Sequence, residues 1–556
     1  MSNRNDNIKA PLAEALLRYV ERKDTSFHVP GHKNGRVFEQ LTGGYKVLRE
    51  IASIDATEIF GLDDLHHPEG VIAEAQEKAA SFFGAEATYF LVAGSTAGNL
   101  ALILSVCSSP GDVLLVQRNV HKSVIHGLML AGANAVFLGP QADAASGLTT
   151  IPSAETVREA LRRYPGAKGV LVTHPNYYGM GGSLAPLAEL CHSSGIPLLV
   201  DEAHGAHFGL HPALPRSALS EGADGVVQST HKMLFGLTMS AMLHVHGSLI
   251  DRQLLCQRLA MIQSSSPSYP LMASLDLTRG MLEGEGPSIF EEGLQCAAKL
   301  RREIRKLNRV GIVDIPPAVD GLDCSEMNGN LDGYTLQDPF KVVIYDQSGQ
   351  ISGYKLQERL EQAGCIPEMS DPKYVVLALS LGTSHDDIEK VLAVLVNLEE
   401  EMKGINSLNG QLQSRNPNSE ALFGYRSTSD AEKNISFTSK KENEVLTASN
   451  QELSTWNIPT DLAISTVVPF CMTPISEALQ EKVSIYQTEG RVAAEMVIPY
   501  PPGIPILYPG ERITGEVSQL LIKLHQAGAK CQGTADSTMS SLKVYKNQKV
   551  GAEHGC

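Results

Sequence analysis

Gly225-Val226-Val227-Gln228 is a short apolar run that reads as a buried strand, and it leads into Ser229-Thr230-His231-Lys232. A lysine closing a buried strand behind Ser-Thr-His is placed for chemistry; the bland reading is a surface lysine opening a helix. Leu198-Leu199-Val200 is another apolar run, ending on Asp201 with Glu202, Ala203 and His204 behind it. Aspartate there is also a common helix N-cap. Together, a strand-end Asp and a strand-end Lys in neighbouring strand–helix units suit a pyridoxal 5'-phosphate (PLP) enzyme. In that chemistry the cofactor is the electron sink and the protein supplies orientation and electrostatics. Lys232 would form the resting Schiff base. Asp201 would keep the pyridine nitrogen protonated, because a nearby carboxylate favours the charged form.

Two further needs have candidates. A phosphate seeks backbone N–H groups at a helix N-terminus, and Gly94-Ser95-Thr96 falls between a strand and a helix. Such small-residue loops are common, so this signal gains weight only from its neighbours; Ser229 and His231 could complete the cup. The ring needs a sandwich. His121, opening a helix, could stack on one face and Ala203 could pack under the other.

The elements that must position these residues alternate along the chain. An amphipathic helix over 8–23 puts Leu12, Ala15, Leu16, Tyr19 and Val20 on one face. Two polar loops follow, Phe27-His28-Val29-Pro30-Gly31-His32-Lys33 and Leu62-Asp63-Asp64-Leu65-His66-His67. A helix is expected from Val71 to Gly84, a natural C′ residue. Strands are expected at 89–93, 113–116, 136–138, 169–173, 197–200 and 226–227, with helical patterns between them. Short continuous apolar strands alternating with helices indicate an α/β fold with a mainly parallel sheet covered on both faces. Residues 286–401 repeat the α/β alternation as a smaller domain. Residues 402–456 are rich in Ser, Asn, Gln, Lys and Glu and read as a polar linker or insertion. A third unit, 457–556, carries the proline-rich stretch 496–511, which excludes a helix.

Composition narrows the class. The chain has 556 residues, 43% apolar and 19% charged, enough for about three domains. A formal charge of −16 argues against nucleic acid as the main partner, since phosphate binding wants a basic face. Nine cysteines form no CxxC pair, so no zinc or thioredoxin motif is present and no metal is expected. Scattered thiols fit a reducing, cytoplasmic setting. The N-terminus has no apolar segment of a secretory signal, and no run reaches membrane-spanning length.

The blocks HVPGHKNG, GLDDLHHPEG, GSTAGNL, QRNVHKSV, VDEAHGAHFG, QSTHK, SSSPSYPLMASLD and YPPGIP resemble, in this order, the bacterial Orn/Lys/Arg decarboxylase family. These are fold type I PLP enzymes of the aspartate aminotransferase-like fold. The resemblance covers nearly the whole chain outside 402–455, and is greatest to the short Gram-positive members, which include arginine decarboxylases. It implies that Lys232 carries the Schiff base, Asp201 pairs with the pyridine nitrogen and His121 stacks on the ring. It implies that Ser95, Thr96, Ser229 and His231 hold the phosphate, with Ala203 and His204 lining the cofactor. Residues 1–70 would be an N-terminal helix and active-site loops, 71–285 the PLP-binding large domain, 286–401 the small domain and 457–556 a C-terminal α+β domain. The implied reaction is α-decarboxylation of arginine, lysine or ornithine in a homodimer or higher assembly with its active site at the interface. The acid-stress members' extra N-terminal wing domain is not seen, so their decameric ring is not expected. The substrate's distal cation needs an acid, for which Asp63, Asp64, Glu495 and Glu511 are candidates, although each taken alone reads more readily as a solvated carboxylate. His28 and His32 would line the entrance. An aminotransferase or β-eliminating lyase would share the fold, and a PLP carrier without turnover is the non-enzymatic alternative; the intact Lys232, Asp201 and His121 set weighs against the carrier.

Overall fold

The computed structural model describes residues 8–39, 46–314, 336–413, 463–500 and 503–546. Most of the polar segment 402–456, together with Pro501 and Pro502 of the proline-rich stretch, therefore lies outside the described residues.

The continuous apolar runs become an eight-stranded sheet. Its strands lie in the order Ala87–Leu91, Ala241–Val245, Gly225–Gln228, Leu198–Asp201, Val170–Thr173, Val113–Gln117, Asn134–Leu138 and Ile464–Pro469. The five strands from Gly225–Gln228 to Asn134–Leu138 are parallel. Ala241–Val245 is antiparallel to both its neighbours, and Ile464–Pro469 pairs antiparallel with Asn134–Leu138 at the far edge. The parallel strands are buried on both faces, so their residues do not alternate between apolar and polar. Leu198–Asp201 and Gly225–Gln228 are buried at every position. The helices Gly94–Val106 and Lys122–Ala131 pack on one face, where Val116, Leu199 and Val227 join Ile103, Val124 and Leu128 in one core. Leu115, Val172, Val200 and Val226 fill a second core on the other face, with Val157 and Leu187.

The helix over Pro11–Arg22 buries Leu12, Ala15, Leu16 and Tyr19, as its pattern predicts. Val71–Phe83 ends on Gly84 in the left-handed region (φ 75°), where glycine carries no Cβ penalty.

Residues beyond 286 build a four-stranded sheet in the order Met369–Ser370, Tyr374–Ala378, Lys341–Asp346, Val310–Ile312. All its pairings are antiparallel. The helices Glu291–Ile304, Gly353–Gln362 and His385–Gln413 accompany it, and the last runs past residue 401. The final unit has two short antiparallel pairs and the helix Gly515–Gln526 around a separate core of Val497, Leu507, Leu521 and Val544. It is clamped to the large sheet by Arg118. This buried guanidinium bonds both oxygens of Glu511 (2.9 and 3.0 Å) and the carbonyls of Pro505 and Ile506, and lies 4.2 Å from the Tyr508 ring centroid.

Candidate active site

In open parallel α/β sheets, ligands bind beyond the carboxyl ends of the strands. Here Thr173 and Asp201 end adjacent strands in register, and Gln228 ends the next and leads to Lys232. Val113–Gln117 leads on to His121, and Ala87–Leu91 to Gly94. These ends surround a cavity of about 500 Å³. Ser95, Thr96, His121, Asp201, Ala203, His204, Ser229, His231 and Lys232 all line it. The sequence reading did not single out Thr173, Tyr177, Glu368 and Tyr500, which line it too. Thr173 has a strand-end position beside Asp201 as its signal, and Tyr500 opens the YPPGIP block; Tyr177 and Glu368 have none.

Asp201 is 3% exposed. Its Oδ2 accepts from Asn99 Nδ2 at 2.8 Å and its Oδ1 from the Ala203 N–H at 3.2 Å. Burial pushes its carboxyl above the ordinary value, while Lys232 and Asn99 favour the charged form. No helix begins at Asp201, so the N-cap reading does not apply.

Lys232 lies in the one-turn helix Thr230–Met233. Its Nζ is 3.1 Å from His204 Nε2 and 5.6 Å from the Tyr177 ring centroid. Burial pulls its ammonium below the usual lysine range, and Lys341 adds to that against Asp201.

His121 is the N-cap of Lys122–Ala131, its Nδ1 accepting from the Ser123 N–H at 3.2 Å. That bond leaves the proton on Nε2. Burial, Lys232 and Lys122 bring its pKa down to about 3, so the ring is neutral. The Lys122 N–H donates to Gly503 O at 3.1 Å, and a Cβ on Gly503 would sit 3.2 Å from the His121 ring. The proline-rich stretch thus backs the histidine. Ser229 Oγ and Ser95 Oγ are 2.7 Å apart, and His231 Nδ1 bonds Ser240 O at 2.9 Å.

The candidate substrate residues are placed elsewhere. Asp63 has a left-handed backbone (φ 69°), and its carboxylate accepts the N–H groups of Asp64, Glu69, Gly70 and Ile72 at 2.8–3.0 Å. It caps the start of Val71–Phe83. Asp64 accepts from the His66 N–H at 2.8 Å. Glu495 accepts from the N–H groups of Ala535 and Lys543, each at 2.8 Å, inside the final unit. Glu511 is engaged with Arg118. His28 bonds Tyr19 and His32 bonds Asp55. None of these six lines the cavity of its own chain.

The cavity fits an aldehyde-bearing pyridine phosphate. It holds an amine, a buried carboxylate, a flat neutral imidazole and a serine-rich helix start. Thr173 Oγ1 is buried there with no hydrogen-bond partner among the described residues.

The comparisons with known proteins agree. The family description "Orn/Lys/Arg decarboxylase, major domain" matches residues 10–387, and its C-terminal domain matches 471–539. The chain belongs to the Orn/Lys/Arg decarboxylase family. It is 39% identical to the uncharacterized protein YaaO of Bacillus subtilis over 97% of this chain and 99% of that one. An arginine decarboxylase of B. subtilis is 32% identical over 98% and 99%. The constitutive lysine decarboxylase of Escherichia coli superposes with a TM-score of 0.73 at 21% identity, covering 97% of this chain and 82% of that one, which shows a shared fold.

Proposed function

We propose that this chain removes the α-carboxylate of arginine as carbon dioxide, with PLP as cofactor. The observation that carries the reading is the single cavity joining Lys232, Asp201 and His121 at the carboxyl ends of parallel strands. Family membership supports the reaction class. The arginine decarboxylases of Bacillus subtilis and Bacillus anthracis, each 32% identical over 98% of this chain, support arginine over lysine or ornithine.

When bound, PLP supplies the electron sink that takes the pair left on Cα. Lys232 is the amine that meets the cofactor's aldehyde. Asp201, buried and tied by Asn99, holds the proton on the pyridine nitrogen, since an opposite charge favours the protonated form. His121, neutral with its ring plane fixed by Ser123, forms one wall of the ring slot; Ala203 forms the other. Ser95, Thr96, Ser229 and His231 hold the phosphate at the start of Gly94–Val106. Tyr177 and Tyr500 exclude water, and a low-dielectric site favours loss of a carboxylate charge. Glu368, the acid other than Asp201 on the cavity wall among the described residues, is our partner for the substrate's distal cation.

A homodimer belongs to the same reading. Phe27 and Phe60 are 92% and 94% exposed, and Val29, Val37 and Ile51 are exposed in the same N-terminal stretch; apolar surface of this kind marks association sites. Free thiols in the described residues suit a cytoplasmic setting. We keep the division into a cofactor-binding large domain, a small domain and a C-terminal domain. The test is agmatine formation from arginine with added PLP, with Lys232→Ala as control. Agmatine from the parent alone supports the reading, and equal yields from both would overturn the role of Lys232.

A further inference from the structure

A second lysine stands behind the first. Lys341 opens the strand Lys341–Asp346 of the small domain and is 1% exposed. Its Nζ lies 3.5 Å from His204 Nδ1, while Lys232 Nζ lies 3.1 Å from Nε2 of the same ring. The position is built rather than incidental. Gly179, in the left-handed region (φ 80°), approaches the Lys341 stem so closely that no Cβ fits between them. The Lys341 N–H donates to Asp338 O at 3.1 Å, and its carbonyl accepts from Arg301 at 2.6 Å.

This geometry constrains the protons. A neutral imidazole has one donor nitrogen and one acceptor, whereas an ammonium group only donates. His204 therefore cannot serve two ammonium groups. Nor can it be charged itself, since it is buried between two lysines and held well below its ordinary pKa by burial and by their charge. His121 and His231 also face it, and burial holds both below the ordinary imidazole value. One lysine must be an unprotonated amine. Burial pulls Lys341 below the usual lysine range as well, against two carboxylates that it faces, Glu368 and Asp338. Lys232 faces Asp201 and Glu368 but also the charge of Lys341.

We propose that Lys341 is a positioning residue whose ammonium donates to His204 Nδ1, fixing the ring proton on Nε2, from where it donates to the unprotonated amine of Lys232. The relay rests on the reading of Lys232 as the amine that meets PLP. Only an unprotonated amine carries a lone pair; the pair that accepts from His204 Nε2 is given up by that hydrogen bond as it attacks the aldehyde carbon, and the condensation releases the aldehyde oxygen as water. The chain thus keeps its reactive lysine unprotonated with a second one behind the shared imidazole.

The test reads covalent loading, not turnover. Apoprotein is mixed with PLP over a pH series, trapped with borohydride, and the adduct at Lys232 is quantified by peptide mass spectrometry. The parent's midpoint falls below 10.5, the ordinary lysine value. Lys341→Met removes a like charge and moves the midpoint up by about one pH unit or more, and Lys341→Gln does the same if the methionine variant fails to fold. Lys341→Arg stays with the parent. In a His204→Phe background the Lys341→Met shift shrinks by about half or more, since the ring no longer couples the two amines. A parent midpoint at or above 10.5, an unmoved midpoint in the neutral variants, or an undiminished shift without His204 overturns the relay. A folded parent that traps no adduct at Lys232 at any pH overturns the assignment of Lys232 itself, which is a different result.

Discussion

Asn99 donates from Nδ2 to Asp201 Oδ2 at 2.8 Å, and the same amide group reaches Ser123 Oγ at 3.0 Å. Ser123 Oγ is in turn 2.8 Å from His121 Nδ1. One side chain on the helix Gly94–Val106 therefore ties the buried carboxylate to the histidine that walls the slot. Replacing Asn99 with Ala strips a donor from a buried carboxylate, a loss of about 1.5–3 kcal/mol. PLP affinity should fall roughly ten- to a hundredfold, by titration of the cofactor's absorbance. Unchanged affinity would mean that Asp201 needs no such anchor.

Asp201→Ala removes the charge that favours a protonated pyridine nitrogen. An opposite charge at close range shifts such a proton by about 1–3 pH units, so turnover should drop roughly ten- to a thousandfold. The far-ultraviolet spectrum should stay that of the parent. Near-parent turnover would remove Asp201 from the mechanism.

Glu511→Gln leaves Arg118 buried without its carboxylate. Breaking a buried pair on one side costs about 3–5 kcal/mol. The apparent Tm should fall and the seam between the final unit and the large sheet should open first, seen as faster hydrogen exchange in residues 503–511. Exchange unchanged there would show that the apolar contacts hold the seam without the ion pair.

Asp63 gives a pH signature. Burial works against its ionisation, but bonds from the backbone N–H groups of Glu69, Asp64, Gly70 and Ala73 outweigh it and hold the carboxyl below its ordinary 3.8. Because the folded value is the lower one, the stabilisation is fully present above the unfolded pKa and is lost as pH falls through the folded one. Asp63→Asn should therefore lose about 1 kcal/mol at neutral pH and show a flatter acid limb below pH 3.8. An acid limb as steep as the parent's would assign that loss to other carboxylates.

The large sheet was legible because fully buried parallel strands announce themselves as unbroken apolar runs, as at Leu198-Leu199-Val200 and Val226-Val227. Asp201 was legible because it ends such a run, and Lys232 because it follows the end of one at Gln228, in the one-turn helix Thr230–Met233 rather than in the strand itself; the ends of parallel strands meet on one side of the sheet. Tyr177, Lys341 and Glu368 were not, since tertiary packing brings them from a loop and from the unit of the four-stranded sheet, with no local spacing to mark them; Tyr500 was marked only by the YPPGIP block it opens. The roles of the candidate acids were hidden for a related reason. Asp63 and Glu495 read like any solvated carboxylate, and only the folded backbone shows the N–H groups that occupy them. The antiparallel pairing of the four-stranded sheet was equally hidden, because Lys341–Asp346 and Tyr374–Ala378 carry the same apolar runs as parallel strands.

The most direct measurement is carbon dioxide release, with identification of the amine, from arginine, lysine and ornithine in the presence of PLP. The account predicts release from arginine with agmatine as product, lost in Lys232→Ala. Release from lysine or ornithine alone would contradict the substrate and keep the reaction. No release from any of the three, by a protein whose borohydride adduct maps to Lys232, would contradict decarboxylation itself.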